Sequence, residues 1–284
     1  MANIIDGKLL SQQIKDNLKV KVQEFATKYN RKIKLAVILV GENPASQVYV
    51  RNKIKSAEYV GIESLSYYLP ENSSQEDVEK TLKCLAEDNT VDGILVQLPL
   101  PKGLDEDKVL NLIPAEKDVD GFLAENLGNL AMNKTCTVAC TPFGVIQMLK
   151  SVNVQMSGKN AVVIGRSNIV GKPMAMLLLN ENCTVTVCHS KTQNLEEVCR
   201  NADILVAAIG KPNFVKANMV KEGAVVIDVG INRTENGLVG DVDFSAVKDK
   251  ASYITPVPGG VGPMTIAMLM ENTYKCALRR ENAI

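Results

Sequence analysis

Residues 162–173, VVIGRSNIVGKP, decide the fold. An apolar, β-branched run stops at Gly165, a polar stretch follows, and a helix restarts with Pro173 in its first turn. The run has the composition of a buried strand, Gly165 permits a tight turn, and proline is tolerated where its missing N–H costs nothing. Strand, glycine loop and helix in that order form the entry to a dinucleotide-binding domain. The free amides near Gly171 to Met174 are expected to face a phosphate. The spacing departs from G-x-G-x-x-G: five residues, beginning with Arg166-Ser167, separate Gly165 from Gly171.

The next strand sharpens this reading. Sites that choose NAD commonly place an acid about 20 residues on, to accept hydrogen bonds from the ribose hydroxyls. Here the strand ends in Cys188-His189-Ser190-Lys191-Thr192, which supplies a hydroxyl and positive charge instead. With Arg166 these groups suit the 2′-phosphate of NADP, because guanidinium binds phosphate bidentately and a carboxylate would repel it. The alternative for His189 and Lys191 is that of solvated loop residues.

Outward from the loop, strand-like and helix-like stretches alternate along the chain. Before it come KLAVILV (34–40), ASQVYVRNKIKSAEYVG, SLSYYL, SQEDVEKTLKCLAED and GILVQL, a β-α-β-α-β order that implies a parallel sheet. After it come CTVTVC, ADILVAAIG and GAVVIDVG, short apolar runs of a second doubly wound unit. The expectation is an α/β protein of two parallel-sheet domains with a cleft between them. Residues 1–139 form the first domain and 140–264 the second, which is Rossmann-like, while a helix over 265–284 packs back on the first.

In the first domain, Gly41-Glu42-Asn43-Pro44 turns the chain at the carboxyl end of a buried strand, where open α/β sheets bind ligands. On the helix that follows, Tyr49 and Lys53 are four apart and share a face. Val50, Ile54, Ala57 and Gly61 define the buried stripe, with Lys53 at its edge. Desolvation there would lower the lysine pKa toward values useful in proton transfer. Gln97 ends an apolar strand at the same sheet edge, so its amide must be satisfied by the next loop, a ligand or Lys53. Asp120 lies in the tight turn EKDVDGF, whose residues also suit turn chemistry alone.

Charge limits the function classes. Lys plus Arg and Asp plus Glu number 32 each, so no global field draws the chain to nucleic acid or an anionic membrane. The N-terminus lacks a signal pattern and no apolar run approaches about 18 residues, so a cytoplasmic location is expected. Seven cysteines without a CxxC pair read as reduced core thiols. With one histidine and no suitable cysteine spacing, no metal is expected.

Together VGENPASQVYVRNKIKSAEYVGI, VDGILVQLPLP, EKDVDGF, CTPFG, GRSNIVGKP, CHSKT and TPVPGGVGPMT closely resemble the bifunctional methylenetetrahydrofolate dehydrogenase/methenyltetrahydrofolate cyclohydrolase family, in family order over nearly the whole chain. The resemblance implies NADP-dependent oxidation of 5,10-methylenetetrahydrofolate, hydrolysis of the product to 10-formyltetrahydrofolate, and a homodimer formed through the cofactor domains. It implies that Lys53 is catalytic, that Tyr49 stacks near the folate, that Gln97 hydrogen-bonds the lysine and that Asp120 holds the pterin. It assigns Pro258, Gly259 and Gly260 to a ligand-facing loop between the sites. For the cofactor it assigns Arg166 and Ser190 to the 2′-phosphate, with Gly165, Ser167, Ile169 and Ile231 completing the set.

Overall fold

A computed structural model describes residues 1–235 and 237–282 of the chain. It opens with β1 (Asn3–Ile4) and α1 (Gly7–Tyr29), then continues β2 (Lys34–Val40), α2 (Pro44–Val60), β3 (Glu63–Leu69), α3 (Gln75–Glu87), β4 (Gly93–Val96), α4 (Glu106–Leu110) and α5 (Ala124–Ala131). Next come α6 (Cys140–Ser151), β5 (Asn160–Ile164), α7 (Gly171–Asn180), β6 (Thr184–Cys188), α8 (Leu195–Arg200), β7 (Ile204–Ala207) and β8 (Val225–Asp228). A hairpin of β9 (Asn232–Thr234) and β10 (Gly237–Val239), then α9 (Phe244–Val247), β11 (Tyr253–Ile254) and α10 (Val261–Arg280), complete the chain. Two compact units result: one of Gln13–Asn129, Thr135–Val138 and Leu269 onward, the other of Met1–Gln12, Leu130–Lys134 and Ala139–Met268.

The unit that begins at Gln13 holds a three-stranded parallel sheet in the order β3-β2-β4. Central β2 is buried from Leu35 to Val40, which explains its unbroken apolar sequence, since a parallel strand covered on both faces has no polar side. Edge strand β3 is only partly covered and mixes polar with apolar residues accordingly. Asn43 caps α2 by accepting from the amides of Ala45 and Ser46, and Pro44 occupies the first turn. Gly61 ends that helix at φ 88°, a conformation that favours glycine. The buried residues of α2 are Ser46, Val50, Ala57 and Val60, so Gly61 is an exposed cap and not part of the apolar stripe the sequence suggested.

The other unit is built on a six-stranded, all-parallel sheet ordered β1-β11-β8-β7-β5-β6. Its core packs Val162, Ile164, Leu205, Val226 and Ile254 with Cys188 and Cys199. From β5 the chain first moves outward to β6 and then crosses back to β7, so the strand order reverses beside β5. In the first sheet it reverses beside β2 in the same way. Crevices at the carboxyl ends of such strands are where open α/β sheets bind ligands. All seven cysteines are free; five are buried, Cys136 is half-buried, and Cys84 is exposed on α3.

Candidate active site

Around the reversal beside β2, the loop after that strand turns at Gly41 (φ 81°) and launches α2. The neighbouring strand β4 ends at Val96, and the Gln97 amide extends the ladder by donating to Ile38 O at 2.9 Å. That pairing holds Gln97 beside the α2 face carrying Lys53. Lys53 Nζ donates to Gln97 Oε1 at 3.0 Å, and Gln97 Nε2 donates to Leu98 O at 2.7 Å. Tyr49, one turn earlier on the same face, leaves its side chain 45% exposed and so open to a planar ligand.

Asp120 completes the cluster through charge. Burial pushes its carboxyl up to about 6, with Lys53 pulling the other way and Asp118 adding to the rise. Its residue surface is only partly covered, so the carboxyl sits low in a recess and not in a sealed core. The turn that presents it is held by Asp118, which is buried and accepts from Gly121 N at 2.9 Å, Leu123 N at 3.0 Å and Asn126 Nδ2 at 2.9 Å. The sequence reading singled out Asp120 and passed over Asp118; the Asp-x-x-Gly spacing of a side chain capping its own turn was the available signal.

In the other unit a cavity of about 350 Å³ lies where β5 and β7 end, lined by Gly165, Arg166, Ser167, His189, Ser190 and Lys211 among others. Gly165 is required there: at φ 123° it lies so close to β7 that a Cβ would stand 2.2 Å from Ala208 O. Among the described residues no carboxylate lines this cavity, and Arg166 and Lys211 both do. The donor set therefore fits a phosphate-bearing dinucleotide. Lys211 was not foreseen, because it enters from the loop after β7, far in sequence from the glycine motif.

The helix start behaves differently from expectation. Val170 N and Gly171 N donate to Ser167 Oγ, Lys172 N to Ser167 O and Met174 N to Val170 O, so these amides are satisfied within the loop and helix. A serine two residues after the first glycine can fold back on the helix, and here it does so. His189 is likewise engaged locally, its Nδ1 accepting from Lys191 N at 3.2 Å.

Ile169 is 45% exposed and does not line the cavity. Ile231, 46% exposed, borders a second cavity of about 140 Å³ together with Pro258, Gly259 and Gly260. Backbone crowding shapes that loop: Gly259 has φ 103°, and a Cβ on Gly260 would meet Pro256 O at 2.4 Å. Among the described residues no group of three His, Cys, Asp or Glu side chains gathers as a metal site would need, and no helix is long and apolar enough to cross a membrane.

Comparison with known proteins follows the same division. Residues 5–120 match the catalytic domain of the tetrahydrofolate dehydrogenase/cyclohydrolase family, and residues 139–281 match its NAD(P)-binding domain. The bifunctional protein FolD of Agathobacter rectalis is 59% identical over 280 residues, which cover 98% of this chain and 100% of that protein. Among solved structures, the FolD methylenetetrahydrofolate dehydrogenase/cyclohydrolase of Campylobacter jejuni superposes with TM-score 0.96 at 52% identity, covering 99% and 100% of the two chains. The Trypanosoma brucei methylenetetrahydrofolate dehydrogenase-cyclohydrolase, solved with NADP and an inhibitor, gives TM-score 0.92 at 40% identity over 98% and 99%. With both domain models matched in order and near-complete coverage of close relatives, the chain belongs to the tetrahydrofolate dehydrogenase/cyclohydrolase family.

Proposed function

We propose that the chain is a bifunctional enzyme of folate one-carbon metabolism: it oxidises 5,10-methylenetetrahydrofolate with NADP to the methenyl cation and hydrolyses that cation to 10-formyltetrahydrofolate. The observation that carries the reading is the Lys53 Nζ–Gln97 Oε1 hydrogen bond at a sheet's carboxyl edge, in a chain with both family domains. When bound, NADP supplies the hydride acceptor, and the protein's part in that step is to hold the reacting carbons in register.

Hydrolysis asks more of the side chains. Water must attack the bridging carbon and lose a proton, and the departing ring nitrogen must gain one. Lys53 Nζ carries that proton, while Gln97 fixes the direction in which the amine points. Tyr49 offers an aromatic face to the folate, and Asp120 accepts hydrogen bonds from its pterin. Arg166 and Ser190 take the 2′-phosphate and Gly165 and Ser167 shape the cavity around it, while Ile169 and Ile231, assigned to the cofactor by the family resemblance, stand outside that cavity. Pro258, Gly259 and Gly260 give a backbone surface that a ligand can approach closely.

We also read the protein as a cytoplasmic homodimer whose product serves purine biosynthesis. Support for the dimer comes from β6, an edge strand with one side of its backbone ladder unpaired, which exposes Thr184, Thr186 and Val187 beside Leu179 of α7. The test of the central reading is direct. Protein mixed with methylenetetrahydrofolate and NADP should form NADPH at once and then 10-formyltetrahydrofolate; no NADPH with either NADP or NAD would reject it.

A further inference from the structure

The cavity beside β5 has a second cation that the mechanism above does not use. Lys211 lines it from the loop after β7, as do Arg166, Ser167 and Ser190 from other segments. Its side chain is solvent-accessible, and among the described residues no carboxylate lies within ion-pair distance of Lys211 or Arg166. Lys211 Nζ stands 5.8 Å from the centre of the ring of Phe214, which lines the same cavity.

The backbone beneath this lysine is unusually constrained. Asp241 is fully buried, and its carboxylate accepts from three consecutive amides: Ile209 N at 2.7 Å, Gly210 N at 2.9 Å and Lys211 N at 2.8 Å. Asn232 Nδ2 donates to the same carboxylate at 2.9 Å. Three successive N–H groups turned onto one carboxylate leave the loop little freedom, and charge-assisted bonds of this kind are among the stronger ones. The backbone at Lys211 is thereby tied to Asp241.

We propose that Lys211 is a further specificity-determining residue of the cofactor site, binding the 2′-phosphate of NADP together with Arg166. The inference rests on reading this cavity as the NADP site. Two cations from separate loops, a serine hydroxyl and no acid form a set that rewards a dianionic phosphate and gives little to a free ribose hydroxyl. The lysine acts as a point charge, where the guanidinium of Arg166 adds directed, paired donors.

The test uses the full chain and two small probes, adenosine 2′,5′-bisphosphate and 5′-AMP, titrated calorimetrically into wild type, K211A, K211R and R166A, so no turnover is required. K211A should weaken the bisphosphate by about tenfold and 5′-AMP by less than about twofold, with K211R close to wild type. R166A should show the same selectivity. If R166A is selective and K211A is silent, or weakens both probes alike, the Lys211 assignment is overturned while the cavity keeps its function. Should neither variant change the binding of either probe, the reading of the cavity itself falls. Lys211 is exposed, so its substitution leaves the core untouched.

Discussion

Gln97 stands between Lys53 and the backbone: its Oε1 accepts from Lys53 Nζ at 3.0 Å while its Nε2 donates to Leu98 O at 2.7 Å. An amide bonded at both ends cannot rotate without losing a partner, so the lysine amine inherits a fixed direction. Replacing Lys53 by Met should therefore abolish cyclohydrolase activity, a loss of at least about 100-fold, with NADP affinity unchanged. Q97A should slow hydrolysis by about tenfold or more while leaving the lysine present. The measurement is the decay of methenyltetrahydrofolate absorbance alongside an NADP titration; full hydrolytic turnover by K53M would remove Lys53 from the mechanism.

Asp120 carries a carboxyl that titrates well above its ordinary range. Its folded-state value of about 6 lies above the ordinary 3.8, so between those values the native state holds the proton more tightly than the unfolded chain. The carboxylate's contribution to stability therefore falls as pH rises through that window and is constant above it. With Asp120 as the proposed acceptor for the pterin, binding should run the other way, because only the ionised form accepts without a proton. The Michaelis constant for methylenetetrahydrofolate should rise as pH drops below about 6, and D120N should flatten that inflection. A wild-type profile without an inflection there would separate Asp120 from the substrate.

Gly171 packs against the loop it follows, where a Cβ would lie 2.3 Å from Gly165 O and 2.7 Å from the Arg166 Cα. G171A must push Gly165 and Arg166 aside. The expected outcome is a Michaelis constant for NADP raised by about tenfold, with hydrolysis of supplied methenyltetrahydrofolate unaffected, since a misplacement of about 1 Å suffices for such losses. Equal damage to both activities would indicate general unfolding, which a melting curve would reveal.

Val187 is 38% exposed on edge strand β6. If this edge forms the homodimer interface, V187K places a charge at every copy of the contact, and the protein should sediment as a monomer at micromolar concentration. An unchanged dimer would move the interface elsewhere.

How much of this was legible beforehand depends on the length of the signal. KLAVILV reads as a buried parallel strand because Leu35 to Val40 are all apolar, and it occupies Lys34–Val40 as expected. The strands β1 and β11 have two residues each, too few for any period; β1 exists because Asn3 and Ile4 find Tyr253 and Ile254, and β11 because it pairs on its other side with Val225 and Val226 of β8. Gly61 fits the helical spacing of a buried stripe, yet its φ of 88° makes it a cap, a distinction of backbone angle that periodicity does not carry. Cys84 likewise falls within an apolar run and still faces solvent.

The two parallel-sheet units, the glycine loop and the pairing of Tyr49 with Lys53 are legible in the residues alone, because strand composition, glycine's tolerance of positive φ and the four-residue helical repeat are local properties. Only the tertiary structure decided that Gln97 reaches Lys53, since strand β4 must first pair with β2 to bring them together. It alone brought Lys211, from the loop after β7, to the cavity that Arg166 lines. In each case the deciding contact joins groups whose positions depend on strand order or loop closure, and neither is encoded in the few residues on either side.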